Sequence, residues 1–179
     1  MTNYSTYVDW RRTLHQYPEL SDEEYETTET LRKILKSYGI RILEVPLKTG
    51  LVAEIGQGEE MIAVRTDIDA LPIEEHVKHE FTSTHQGVMH ACGHDIHMAS
   101  ILATGTQLKE IEDELNGRVR LIFQPAEELG HGAFEIINTG VLKGAKAVLG
   151  FHNYPTLKVD EFAIKSGAIT SAVDRFEFN

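Results

Sequence analysis

The densest chemistry in the chain is His90-Ala91-Cys92-Gly93-His94-Asp95-Ile96-His97, which packs three histidines, the only cysteine and a carboxylate into eight positions. A thiol and an imidazole one glycine apart form a ligand pair for zinc-like divalent metals, since soft sulfur and borderline nitrogen both suit such ions. Two ligands do not make a site, and the stretch also reads as a turn with exposed histidines and a small buried thiol. Other groups add weight. Asp67 and Asp69 stand two residues apart after an apolar run, Glu127-Glu128 follows Gln124-Pro125-Ala126, and His152 follows another apolar run. Taken singly, the aspartates read as a solvated turn and the glutamates as a solvated helix start. Adjacent carboxylates on an extended strand end point opposite ways. One could then face a metal and the other a substrate, which divides ligand from general base.

Elements must bring these groups together. Residues 4–17 read as a helix with Tyr7, Trp10, Leu14 and Tyr17 on its buried side, stopped by Pro18. Ser21-Asp22-Glu23-Glu24 has the form of a capping box for a second helix, which carries Tyr25, Thr28, Leu31, Ile34 and Leu35 inward and ends at Gly39. His15, beside the Pro18 turn, reads as structural. Three strands are expected at 40–45, 50–55 and 61–66, the last buried on both faces. Residues 74–87 read as a surface loop with His76, His79 and His85. Asp95 reads as the N-cap of a helix with Met98, Ile101, Leu102, Leu108 and Ile111 at helical spacing. A strand at 118–123, a helix through Phe134, Ile136, Ile137 and Val141, and a buried strand at 147–151 complete the pattern. Alternation of strands and helices implies an α/β fold with a largely parallel sheet, and such sheets gather their chemistry at the strands' C-terminal ends.

Composition narrows the function. A chain of 179 residues suggests one domain, or one and a piece of another. The formal net charge of -11 argues against nucleic acid or an anionic membrane as main partner. One cysteine excludes an intrachain disulfide and fits a reducing compartment. Met1-Thr2-Asn3-Tyr4-Ser5 lacks the features of a signal peptide, and no apolar run approaches a membrane span. A cytoplasmic location is expected.

Four motifs and a strand-end histidine together resemble the M20 metallopeptidases. They are Arg65-Thr66-Asp67-Ile68-Asp69-Ala70-Leu71-Pro72, the Cys92 motif, Gln124-Pro125-Ala126-Glu127-Glu128, and the opening Arg11-Arg12 through His15 to Pro18-Glu19-Leu20, with His152. The branch they resemble is the amidohydrolases of N-acyl amino acids, which includes hippurate hydrolases, auxin-conjugate hydrolases and N-acetyldiaminopimelate deacetylases. The resemblance spans the chain. It implies a zinc-peptidase-like three-layer α/β/α catalytic domain with a largely parallel central sheet, incomplete at the C-terminus. It implies two divalent ions (Zn2+, Mn2+, Co2+ or Ni2+) held by Cys92, His94, Glu128 and His152. Glu127 matches the general base, and Asp69 matches an aspartate that orients a metal-site group. Asp67 stands where other branches carry a metal-binding histidine and is not assigned as a ligand.

The implied reaction is hydrolysis of an N-acyl amino acid or small peptide. The metals would activate water and polarise the amide carbonyl, while Glu127 carries the proton to the leaving amine. Family members are longer, with an inserted lid and dimerisation domain followed by a further metal-binding histidine. Residues 1–170 are therefore expected to be the N-terminal part of the catalytic domain and 171–179 the start of the lid domain. The full-length protein is expected to be a homodimer or tetramer. By itself this chain is expected to be a poor enzyme, and a catalytically incompetent piece is the alternative reading. A thiol hydrolase using Cys92 as nucleophile is a rival class, disfavoured because it leaves Glu127, Glu128 and His152 idle.

Overall fold

The computed structural model describes residues 4–169. Its elements follow in the order α1 (Tyr4–Gln16), α2 (Tyr25–Ser37), β1 (Arg41–Leu43), β2 (Leu51–Gly56), β3 (Met61–Asp67), α3 (His94–Glu110), β4 (Arg118–Gln124), α4 (Gly132–Asn138) and β5 (Ala147–Gly150), with a short 3-10 turn at Glu112–Glu114. The expected lid-domain segment at 171–179 lies outside the described residues.

The strands form one sheet in the order β1-β2-β4-β3-β5. Pairing is antiparallel for β1–β2 and β2–β4, and parallel for β4–β3 and β3–β5. Four of the five strands thus run the same way and only β2 is reversed. The α/β expectation of a largely parallel sheet holds.

Alternation along the strands builds two cores. Leu51, Ala53 and Ile55 of β2 and Val119, Leu121 and Phe123 of β4 face a cluster completed by Leu14 of α1, Leu31 and Leu35 of α2, and Met98, Ile101 and Leu102 of α3. Val52, Ala63 and Ile122 face the other way, against Ile136 of α4 and Val141. Helices therefore cover both faces of the sheet. α2 stops as expected, with the Gly39 N–H on the Lys36 carbonyl and the Ile40 N–H on the Leu35 carbonyl, the paired bonds of a Schellman close.

Several local expectations fail. Ser21 does not cap α2; both oxygens of the Glu19 carboxylate do, accepting the N–H groups of Glu26 and Thr27 at 3.1 and 2.7 Å. Asp95 does not cap α3. It lies inside the first turn with its carboxylate buried, and Gly93 precedes the helix without a side-chain cap. Tyr17, just past the end of α1, is exposed, as are Tyr25 of α2 and Phe134 and Ile137 of α4, which lie on wetted helix faces. In β3, Ile62 is partly exposed rather than buried. The largest departure is β5, whose four residues are all exposed. It borders β3 alone, and among the described residues nothing packs over Val148 and Leu149.

The parallel register places the C-terminal ends of β3 and β4 side by side, Asp67 opposite Gln124, with Gly150 of β5 opposite Arg65. All the sequence-derived candidates hang from that edge.

Candidate metal centre

Asp69 follows β3 by two residues and is almost wholly buried. Its backbone carbonyl lies 2.8 Å from His94 Nδ1, at the start of α3. The carbonyl can only accept, so Nδ1 carries the proton, and a neutral ring then leaves its lone pair on Nε2. That Nε2 faces Asp67 Oδ2 at 3.6 Å and Glu128 Oε1 at 3.7 Å. The other Asp69 carboxylate oxygen accepts the Ser21 hydroxyl at 2.7 Å and the Glu128 N–H at 2.9 Å.

The Glu127-Glu128 pair departs from expectation. β4 ends at Gln124 and the chain turns instead of staying extended, with Ala126 at a positive φ of 48°. Both carboxylates consequently converge on one side, and an oxygen of each lies within 4.8 Å of a His94 ring nitrogen and of the other. A buried carboxylate from far away fixes this turn. Glu24 accepts the Ala126 N–H at 2.8 Å and the Thr49 hydroxyl at 2.7 Å. Burial raises its carboxyl above the ordinary value even so. The turn also requires Gly132, since a Cβ there would fall 1.7 Å from the Pro125 carbonyl oxygen.

Cys92 and His152 close the other flank. Their Sγ and Nε2 lie 3.5 Å apart, and with a His94 nitrogen these donors fall within 4.8 Å of one another. Gly93 allows this approach, because a Cβ there would meet the Asn153 side chain at 2.4 Å. Asn153 is held in turn by His97, whose Nε2 is 2.7 Å from Asn153 Oδ1 and whose Nδ1 is 2.7 Å from Asp67 Oδ1.

The site is acidic and partly buried, and its titrations follow from that. The Cys92 thiol is pushed up to about 12 by burial, then by the charges of Glu128, Glu127 and Asp67. Burial raises Glu128 as well, with Glu127 adding to it and His94 opposing. His94 is raised: burial opposes its charged form, but the Asp69 bond and the charges of Asp67, Asp69 and Glu128 outweigh it. For Asp67, burial is outweighed by the His97 bond and by the charges of His94 and Arg65, and its carboxyl falls to about 2.

The donor set fits divalent metal. Among the described residues, His94 Nε2, Glu128 Oε1 and Asp69 Oδ1 are buried without a hydrogen-bond partner, a costly state for polar atoms unless a cation engages them. Thiolate sulfur, imidazole nitrogen and carboxylate oxygen together match a zinc-like ion.

All six sequence-derived candidates, Cys92, His94, Glu127, Glu128, His152 and Asp69, therefore meet around His94. Ser21, Glu24 and the Asp67–His97–Asn153 chain were missed as supports. His97 had a readable signal, being three residues after His94 on the same helix. Glu24 had none, since its partner Ala126 is 102 residues away.

The chain is similar to several known proteins. The chain is 52% identical over 169 residues to an N-acetyl-L-cysteine deacetylase of Bacillus subtilis, covering 93% of this chain and 41% of that protein. It is 42% identical over 172 residues to an N-acyl-L-amino acid amidohydrolase of Geobacillus stearothermophilus, covering 94% and 46%. A Bacillus subtilis crystal structure described as a dinuclear metal binding peptidase from the M20 family superposes with a TM-score of 0.84 at 50% identity, over 87% of this chain and 44% of that one. The chain spans less than half the length of these relatives. Peptidase family M20/M25/M40 matches residues 63–178, from β3 onward through every metal-ligand candidate. A match over that much of the sequence settles its kinship: the chain belongs to peptidase family M20/M25/M40.

Proposed function

We propose that this chain supplies the metal-binding half of a hydrolase that cleaves the amide bond of N-acyl amino acids or small peptides. Cys92, His94, Glu128 and His152 would hold two divalent ions of the Zn2+, Mn2+, Co2+ or Ni2+ type, and Glu127 would act as general base. The observation that carries the reading is the convergence of sulfur, nitrogen and oxygen donors on the buried His94 ring, whose Nε2 has no hydrogen-bond partner. The names of the relatives, deacetylase and amidohydrolase, support the substrate class.

When bound, the ions supply Lewis-acid polarisation of the amide carbonyl and an acidified water. The chain's own residues do the rest. Asp69 fixes the His94 tautomer through Nδ1 and ties the ring to Glu128. Glu127 lies on the same turn, and among the described residues its carboxylate makes no hydrogen bond, so it is free to take a proton from water and return it to the leaving amine. A thiol with a pKa of about 12 is a poor nucleophile at neutral pH, which speaks against the thiol-hydrolase alternative.

A second reading, that these residues alone bind metal but turn over little, is favoured by the exposed faces of β5, the strand leading to His152. Oligomerisation through a lid domain and a cytoplasmic location remain part of the proposal; no helix among the described residues is long and apolar enough to cross a membrane. The test is metal content by mass spectrometry, with hydrolysis of N-acetyl amino acids before and after chelation, on this chain and on a longer one. Failure of the longer chain to bind metal or to lose activity on chelation would overturn the reading.

A further inference from the structure

A second cluster of metal-type donors lies away from this centre, on the other side of the first turn of α3. His94 faces the first cluster, but its neighbour Asp95 faces α1. Asp95 Oδ2 lies 2.8 Å from His15 Nδ1 and 2.7 Å from Arg11 Nε. Asp95 on Nδ1 is the arrangement that backs a metal-ligating histidine. Burial opposes the charged ring, but the Asp95 and Glu75 bonds raise its pKa, so without metal Nε2 holds a proton towards Glu75 that a cation would displace. His15 Nε2 points at Glu75 Oε1, 3.2 Å away, and His79 Nε2 reaches the same oxygen at 3.0 Å.

Two imidazoles thus converge on one carboxylate oxygen, with His15 and Glu75 nearly inaccessible and His79 partly so. Donors on a tetrahedral zinc ion stand about 3.3 Å apart, given bond lengths of about 2.0–2.2 Å. The two separations to Glu75 Oε1 are close to that, and all three donors lie within 4.8 Å of one another. The set is preorganised. Glu75 Oε2 accepts the Ser83 N–H at 2.7 Å, and the His79 ring packs on Phe81 with centroids 3.9 Å apart. The positive groups nearby are Arg11 and Arg12, both over the Phe81 ring at 4.9 and 5.1 Å. Asp95 and Glu75 offset them.

We propose that His15, Glu75 and His79 form a separate site for a zinc-like divalent cation, backed by Asp95. The ion would join the end of α1 to the loop at 74–87. That loop is otherwise irregular, and its continuation leads into His90 and Cys92. The site would act as a staple rather than a catalytic centre, since it contains neither Glu127 nor Glu128.

The test uses the whole chain, stripped and then titrated with zinc against a chromogenic chelator, beside His79→Leu. The expected result is loss of one zinc equivalent in the variant. Zinc at about ten times its dissociation constant should slow tryptic cleavage after the exposed Lys78 about tenfold in the parent, with no such protection in His79→Leu. Cobalt localises the ion independently: the visible absorption lost in the variant should carry no thiolate charge-transfer band. Should His79→Leu lose its helical circular dichroism, His79→Gln replaces it. Equal zinc capacity and equal protection of Lys78 in parent and folded variant would overturn the site.

Discussion

Asp69 meets His94 through its backbone carbonyl, 2.8 Å from Nδ1 of the ring, while its carboxylate Oδ1 lies 3.4 Å from the same nitrogen without a hydrogen bond. The remaining carboxylate oxygen holds the Glu128 N–H, so one side chain sets the spacing between two proposed ligands. Supports of this kind are usually worth about 10–100-fold in metal affinity. Asp69→Ala should therefore weaken metal binding by that amount without removing a ligand. Unchanged affinity in chelator competition would contradict the positioning role.

Glu127→Gln should separate binding from turnover. It keeps size and polarity but cannot take a proton. Metal content should stay nearly constant while the rate on an N-acetyl amino acid, in a chain that turns over, drops at least ~100-fold. A mutant with normal rates would remove Glu127 from the base role.

Cys92→Ser should weaken metal binding, because a hydroxyl rarely ionises where a thiolate does. The thiol itself offers a second readout. In the metal-free chain its pKa of about 12 keeps it protonated at neutral pH, so alkylation should be slow and should accelerate as pH rises towards that value. Glu128→Gln removes a negative neighbour and should lower the thiol pKa, speeding alkylation at pH 8. The same rate in both chains would show that Glu128 does not act on the thiol.

Asp67 should govern part of the acid stability of the metal-free chain. Its folded pKa of about 2 lies below the ordinary 3.8. Its stabilisation is therefore present above pH 3.8 and lost as pH falls through about 2, and it amounts to about 2 kcal/mol at neutral pH. Asp67→Asn should be less stable by that order at pH 7 in urea unfolding, and the gap should narrow towards pH 2. A gap independent of pH would mean that the Asp67 charge contributes nothing.

Much of the fold was legible. Apolar runs such as Met61-Ile62-Ala63-Val64 and the spacing of Met98, Ile101 and Leu102 mark β3 and α3, strand ends and the dense Cys92 motif mark candidate site residues, and their roles come from the resemblance of the motifs to the M20 metallopeptidases. What escaped depends on distant partners. Ser21 has the form of a local cap, yet its hydroxyl goes to Asp69, 48 residues on. The Glu127-Glu128 pair converges only because Glu24 holds Ala126 in a turn. Val148 and Leu149 are apolar in sequence, but hydrophobicity does not say whether anything covers them.

The approach of Cys92 to His152 has a topological consequence. The two residues are 60 positions apart in the chain, and His152 follows a strand that, among the described residues, is paired along one edge. An ion shared by them is a covalent-like cross-link across a long loop, which restricts the unfolded chain more than a short loop would. Chelation should then act on this chain much as reduction acts on a disulfide-bonded one, freeing β5 first and leaving the core beneath α1, α2 and α3 to unfold at its own, higher threshold.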